Sequence, residues 1–265
     1  MAIDCRLEYE LDGDCDFVFL VLPSLAGQTV HHEVLTLTPA IPHRLSEEPS
    51  SGNRLLRLRA PAGPLVLAYR ALVDRPIEPL DPQAPELPIA ELPDEVLRFL
   101  SPTRYCESDH LAAVALQLFG EMAPGHARVQ AVADWVKRNI VYRLGSTTPL
   151  TTARDVFVQR AGVCRDFAHL SVAFCRALNV PARLVGGYAR FPEPPPDFHA
   201  VFEAYLGGRW VMFDPTGLAP VEHLVRVATG SDAKDVAFAT MFGPARMVAM
   251  SPEVTLIRDG AAPAA

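Results

Sequence analysis

The stretch Ala161-Gly-Val-Cys-Arg-Asp-Phe167 places a cysteine, Cys164, where a helical pattern begins. Apolar and small residues then recur on one helical face, at Phe167, Leu170, Ser171, Phe174 and Leu178. A cysteine in the first turn of a helix lies at the positive end of the helix dipole, which favours the thiolate. The thiolate is the nucleophilic form of cysteine. The sequence therefore predicts that Cys164 is a nucleophile, the alternative being a small buried hydrophobic residue.

A second stretch, from His199 to Asp214, predicts a β-hairpin. Two strand-like segments flank Gly207-Gly208, a pair typical of a two-residue turn. With that turn, Leu206 lies opposite Arg209, and His199 and Asp214 share a face as diagonal neighbours about 7–8 Å apart at Cβ. A three-residue loop would place the two side chains on opposite faces. We therefore expect a hydrogen bond between imidazole and carboxylate.

Cys164, His199 and Asp214 are together the side chains that a thiol acyl-transfer site requires. The cysteine would attack a carbonyl carbon, the histidine would carry its proton to the leaving amine, and the aspartate would hold the ring. The backbone N–H of Cys164 is one candidate oxyanion donor.

Neighbouring features favour structural roles or a rim. Asp166 lies in the first helical turn, where a carboxylate interacts favourably with the helix dipole. His169 lies five residues past Cys164, about 500° round the helix, and is expected off the cysteine's face. The proline-rich stretch from Phe191 to Phe198 is expected to form a stiff loop that positions His199 and acts as a rim or lid of the site.

The chain before residue 75 has the pattern of β-strands. Leu7, Tyr9 and Leu11 alternate with acidic residues, and further strand patterns cover residues 17–22, 33–38, 54–59 and 65–73. Six prolines then fall between residues 76 and 94, which excludes a helix or central strand. We predict an all-β N-terminal domain at 1–75, an extended linker at 76–94 and an α+β domain at 95–265, with separately packed cores.

Helices dominate the start of the third segment. Leu111 to Phe119 is an apolar run, and residues 129–140 follow the spacing of an amphipathic helix. Thr152 with Asp155 three residues later predicts a capping box. Gly162 is placed where the C′ glycine of that helix would lie.

Composition and charge argue against several classes of protein, namely disordered, nucleic-acid-binding, membrane-spanning and metal-binding proteins. The 265 residues are 49% hydrophobic and 21% charged, which excludes a disordered chain. The net charge of −7 argues against nucleic acid as a partner. No apolar run approaches the length of a membrane span, and the acidic start is unlike a signal peptide, so a cytoplasmic protein is expected. The five cysteines show neither disulfide nor zinc spacing, and we expect no metal and no cofactor.

The motifs GVCRDFAHL and FHAVFEAYLGGRWVMFDPTG resemble the transglutaminase-like superfamily of cysteine enzymes, from about Leu97 to Gly217. The segment LRFLSPTRYCESD is similar to bacterial members with a β-rich N-terminal domain. The resemblance implies a papain-like core with Cys164 as nucleophile, His199 as base and Asp214 as its orienting residue. Papain-like enzymes take a second oxyanion donor from a side chain upstream of the cysteine, and the alternatives for it here are Tyr142 and Gln159. Val201 departs from the pattern, since many members have tryptophan after His-Ala, and this affects only the groove wall.

The expected function is thiol-dependent acyl transfer or hydrolysis at an amide bond of a peptide or protein. By resemblance, hydrolysis is favoured over protein crosslinking. One alternative is a catalytically silent binding or scaffold module that keeps the papain-like fold. Another is an acyltransferase of the arylamine type, which shares the triad but needs an acyl-thioester donor.

Overall fold

Three four-stranded antiparallel sheets and a short parallel pair form the framework of the described residues, 1–76, 79, 81–191 and 197–257 of a computed structural model. The strands are β1 Ala2–Leu11, β2 Cys15–Phe19, β3 Thr29–Thr38, β4 His43–Glu47, β5 Arg54–Ala60, β6 Gly63–Asp74, β7 Val141–Tyr142, β8 Ala161–Gly162, β9 Ala182–Tyr188, β10 Phe198–Leu206, β11 Arg209–Phe213, β12 Val225–Gly230, β13 Ala239–Phe242 and β14 Ala245–Thr255. The α-helices are α1 Asp94–Leu97, α2 Ser108–Phe119, α3 His126–Asn139, α4 Ala153–Gln159, α5 Cys164–Ala177 and α6 Ala233–Val236.

Two of the sheets build a β-rich half around a single core. Their strand orders are β14-β1-β6-β3 and β13-β2-β5-β4. Every second residue of β1 is buried, as a strand with one covered face requires. The Tyr9 ring meets Phe17 of the other sheet edge-on, with ring centroids 5.3 Å apart. The prediction of a β-rich N-terminal region followed by an α+β core is confirmed.

The end of the chain returns to this β-rich half. Ala2 of β1 lies opposite Thr255 of β14, and Phe19 of β2 lies opposite Ala239 of β13. The predicted α+β segment 95–265 therefore includes strands that belong to the N-terminal sheets, and this part of the assignment is corrected. Most of β14 is exposed, so its sequence lacks the apolar alternation that marks a strand. The predicted boundaries near residues 75 and 95 stay a prediction.

The third sheet, β11-β10-β9-β12, supports the α+β half. Helix α5 packs on one face of it, and α2, α3 and α4 surround that helix. The other face meets the β-rich half, where the Tyr188 hydroxyl donates to the Val21 carbonyl at 2.6 Å. Asn53 makes two buried hydrogen bonds of 2.9 Å to the backbone of Thr229. The sheet is thus covered on both faces.

The proline-rich segment is irregular but is attached to the α+β half. Ala84 is 2% exposed and belongs to its core, and the Ala84 carbonyl accepts the His126 N–H at the start of α3. Ile77, Glu78 and Leu80 of the predicted linker lie outside the described residues. Within the described part of the chain, no helix has both the length and the apolar character needed to span a membrane.

Candidate active site

Cys164 is the first residue of α5 and is partly exposed, as a nucleophile requires. The turn before it is fixed by Asp166, a fully buried side chain that accepts the Val163 N–H at 2.9 Å and the Thr147 hydroxyl at 2.7 Å. Asp166 also pairs with Arg165 at 2.7 Å. The carboxylate therefore shapes the helix start, as predicted.

Gly162 does not cap α4, and this prediction was wrong. The left-handed residue after that helix is Arg160, with φ 58°, and Gly162 lies in β8. A Cβ on Gly162 would lie 2.7 Å from the Cβ of Asp166. The glycine is needed because the first turn of α5 approaches the backbone closely. The predicted capping box of Thr152 and Asp155 is confirmed.

The hairpin has the predicted register. Leu206 lies opposite Arg209 across the Gly207-Gly208 turn. The His199 Nε2–H donates to Asp214 Oδ2 at 3.0 Å, and both side chains are buried. The expected hydrogen bond between the two side chains is therefore present.

Asp214 itself is held by the turn that follows β11. Its Oδ1 accepts the Thr216 N–H at 2.8 Å and the Thr216 hydroxyl at 2.7 Å, while Oδ2 also accepts the Ala219 N–H at 3.1 Å. Burial alone raises the pKa of this carboxyl, but the bonds from His199 and Thr216 outweigh it and the pKa is lowered. The carboxylate is thus charged and fixed in orientation.

The Cys164 thiol and the His199 ring interact. Burial lowers the pKa of the imidazole, yet the contacts with Asp214 and Cys164 outweigh it and raise the pKa to about 10. Nε2 is occupied by Asp214, and Nδ1 has no hydrogen-bond partner among the described residues. The thiol donates weakly to the Phe198 carbonyl at 4.0 Å. Nδ1 is therefore the nitrogen available to the thiol proton.

The two alternative oxyanion donors lie in different surroundings. Tyr142 pairs in register with Gly162, and Cys164 is close enough to its phenol to affect the pKa of that group. Burial and the neighbouring thiol raise the pKa of Tyr142, so the phenol stays protonated as a donor. Gln159 is exposed at the end of α4. Of the two side chains, Tyr142 is therefore the one beside Cys164.

His169 has the structural position that its spacing predicts. It is fully buried, stacks on Tyr105 with centroids 5.4 Å apart, and accepts the Ala233 N–H through Nε2 at 3.1 Å. Burial lowers its pKa to about 3, so the ring is neutral. It joins α5 to the start of α6.

The groove beside the thiol includes residues that the sequence reasoning missed. Leu20 and the segment 236–240 contribute one wall, although both belong to or adjoin the β-rich half. Asp197 also lines the groove, and its position only two residues before His199 in the sequence was a signal that could have identified it. The five residues 192–196 of the predicted rim lie outside the described residues.

Comparisons with known proteins agree with this architecture. A family model described as the transglutaminase-like superfamily matches residues 112–215. A crystal structure from Cytophaga hutchinsonii, named a "Putative Cysteine Protease", is similar with a TM-score of 0.91 and 39% identity, covering 98% of this chain and 91% of that one. An uncharacterized protein of Mycobacterium leprae is 32% identical over 197 residues, 68% of each chain. An uncharacterized protein of Mycobacterium tuberculosis is 33% identical over 131 residues, 43% of this chain and 41% of its own.

Proposed function

Because this chain belongs to the transglutaminase-like superfamily and has a cysteine-protease-like fold, we propose that it is a thiol-dependent enzyme acting on amide or peptide bonds. The observation that carries the proposal is the buried His199, whose Nε2–H donates to Asp214 while the ring interacts with the Cys164 thiol. An imidazole held between a carboxylate and a thiol can move a proton to and from the reacting groups.

The first half-reaction forms a thioester. The Cys164 Sγ–H proton passes to His199 Nδ1, and the thiolate bonds to the substrate carbonyl carbon. The C–N bond then breaks, and the leaving amine takes the proton from His199. Asp214 stabilises the imidazolium while it exists, in agreement with the raised pKa of His199.

The oxygen of the tetrahedral intermediate needs hydrogen-bond donors. We place the backbone N–H of Cys164 and the Tyr142 hydroxyl in this role, since the phenol adjoins the cysteine backbone. The β7–β8 pair positions Tyr142, and the start of α5 positions the Cys164 N–H.

The second half-reaction removes the acyl group. Water gives a proton to His199 and bonds to the thioester carbon, and the Cys164 thiolate leaves. Hydrolysis is the proposed outcome because the similar Cytophaga hutchinsonii protein is named a "Putative Cysteine Protease". A cytoplasmic location and a peptide or protein amide substrate are part of the same proposal.

Alkylation of the cysteines tests the proposal without a known substrate. Iodoacetamide should modify Cys164 near neutral pH at least about 100-fold faster than Cys175, which is 0% exposed and whose pKa is raised by burial. His199→Gln should slow this labelling, while Cys175→Ala serves as the matched control. Equal labelling of Cys164 and Cys175, or no effect of His199→Gln, would favour the catalytically silent module instead.

A further inference from the structure

The cavity beside Cys164 has a volume of about 620 Å³ and holds three chemical features in one space. The Cys164 thiol and the His199 ring form the first feature. Apolar side chains form the second, and these are Leu20, Leu184, Val227, Val236 and Phe238. The third is Asp197, the one carboxylate among the described lining residues.

Asp197 meets no cationic side chain in an ion pair within the described chain, although two cations line the same cavity. Arg165 pairs with Asp166 at 2.7 Å, and Lys234 pairs with Asp235 at 2.5 Å. Burial raises the pKa of the Asp197 carboxyl, and the nearby His199 only partly offsets this effect. A partly buried carboxylate in apolar surroundings is stabilised when a cation approaches it.

The position of Asp197 relates it to the reacting atoms. It precedes β10 by one residue and His199 by two, and both side chains line the same cavity. The charge of His199 also acts on the pKa of the Asp197 carboxyl, as expected of close neighbours. Residues two apart in a strand are separated by about 6–7 Å. A cation at Asp197 would therefore lie close to the carbonyl carbon that Cys164 attacks.

The N-terminal residue of a peptide carries one group that fits each of these three features, and all three groups are attached to its Cα. Its Cα carries an ammonium group, a side chain and the carbonyl of the first peptide bond. We propose that the groove binds a peptide through an apolar N-terminal residue whose free α-ammonium pairs with Asp197. This inference rests on the proposed function and gives it a substrate class.

The resulting reaction is removal of the N-terminal residue. The Cys164 sulfur bonds to the carbonyl carbon of that residue, the C–N bond to the second residue breaks, and His199 gives its proton to the released amine. Water then cleaves the thioester and releases the free amino acid. Asp197 binds the ammonium throughout and takes no part in proton transfer.

Two coumarin amides test this assignment, leucyl-7-amido-4-methylcoumarin and its N-acetyl counterpart. The wild-type protein should release the coumarin from the free-amine compound with a kcat/KM at least about tenfold higher, because acetylation removes the charge that Asp197 binds. Asp197→Asn should abolish that preference. Asp109→Asn removes an equal charge from an exposed position of α2 and should retain it.

A second readout needs no turnover. Cys164 is treated with 2-aminoethyl methanethiosulfonate, which is cationic, and with neutral methyl methanethiosulfonate, and modified sites are mapped by mass spectrometry. The ratio of cationic to neutral rates should fall about tenfold in Asp197→Asn and stay at the wild-type value in Asp109→Asn. If neither coumarin amide is cleaved, the change in this rate ratio between wild type and Asp197→Asn is the test of the ammonium site.

The outcomes separate the two proposals. A reactive Cys164 whose rate ratio is the same in wild type and Asp197→Asn overturns the ammonium site and leaves the thiol chemistry standing. Faster cleavage of the acetylated coumarin amide than of the free-amine compound also overturns the ammonium site and leaves the thiol chemistry standing. Failure of Cys164 to react with the neutral reagent overturns the proposed function itself.

Discussion

Replacing Asp214 by asparagine tests the link between the hairpin and the chemistry. The carboxylate accepts four hydrogen bonds, from His199 Nε2, the Thr216 N–H, the Thr216 hydroxyl and the Ala219 N–H. An asparagine has one acceptor oxygen where the carboxylate has two. If that oxygen faces His199 and Ala219, the amide NH₂ meets the Thr216 N–H, and the opposite orientation turns two donors toward His199 and Ala219.

With the amide oxygen toward His199 and Ala219, which is the better orientation, the Thr216 N–H still loses its bond to the carboxylate. We expect the free energy of unfolding to fall by about 1–3 kcal/mol, the range for a buried donor left without an acceptor. The equivalent change in serine proteases lowers kcat by about 10⁴-fold. A smaller loss, about 10- to 1000-fold, is expected here because a thiol ionises more readily than a hydroxyl.

Two measurements on Asp214→Asn check these values, kcat/KM on a cleaved peptide amide and urea unfolding at several pH values. Asp214 has a lowered pKa, so its contribution to stability is present above about pH 4 and disappears as the pH falls through the folded-state pKa. Asp155→Asn is the matched control, since Asp155 also bonds a threonine N–H and hydroxyl but lies at the start of α4. Wild-type turnover in Asp214→Asn would refute the role given to the carboxylate.

Three further substitutions probe other parts of the structure. Tyr142→Phe should lower kcat about 100-fold, as loss of one oxyanion donor does, and unchanged turnover in the same assay would remove the phenol from that role. Gly162→Ala should lower the urea-unfolding free energy by about 1–3 kcal/mol because its Cβ would meet Asp166; unaltered stability contradicts the packing argument. Asn53→Ala should lower the free energy of unfolding in urea by about 2–4 kcal/mol, because the backbone N–H and C=O of Thr229 lose their partner. A change below about 0.5 kcal/mol would show that water reaches these groups and replaces the side chain.

The parts of the site that sequence could predict are those set by local rules. Turn length fixes strand register, so Gly207-Gly208 was sufficient to place His199 and Asp214 on one face. The helix containing Cys164 could be predicted because its apolar spacing is regular. These local rules also place the thiol at the start of a helix.

Long-range pairing could not be predicted in the same way. The strand β14 pairs with β1 across more than 230 residues, and its mostly exposed side chains give no apolar period. The groove wall at 236–240 depends on that return of the chain, so it was missed with it. The role of Gly162 was predicted wrongly because the prediction considered only the end of α4. A glycine is needed there because Asp166 of α5 approaches it closely.

The return of the last strands to the first has a consequence for biosynthesis. On the ribosome, β1 and β2 emerge early, but their outer edges stay open until β13 and β14 have been translated. Unpaired strand edges on a nascent chain are templates for pairing with strands of other chains. The groove wall at 236–240 emerges in the same late interval. A chain whose translation stops before residue 236 therefore contains the three residues Cys164, His199 and Asp214 without the wall that would bind a substrate beside them.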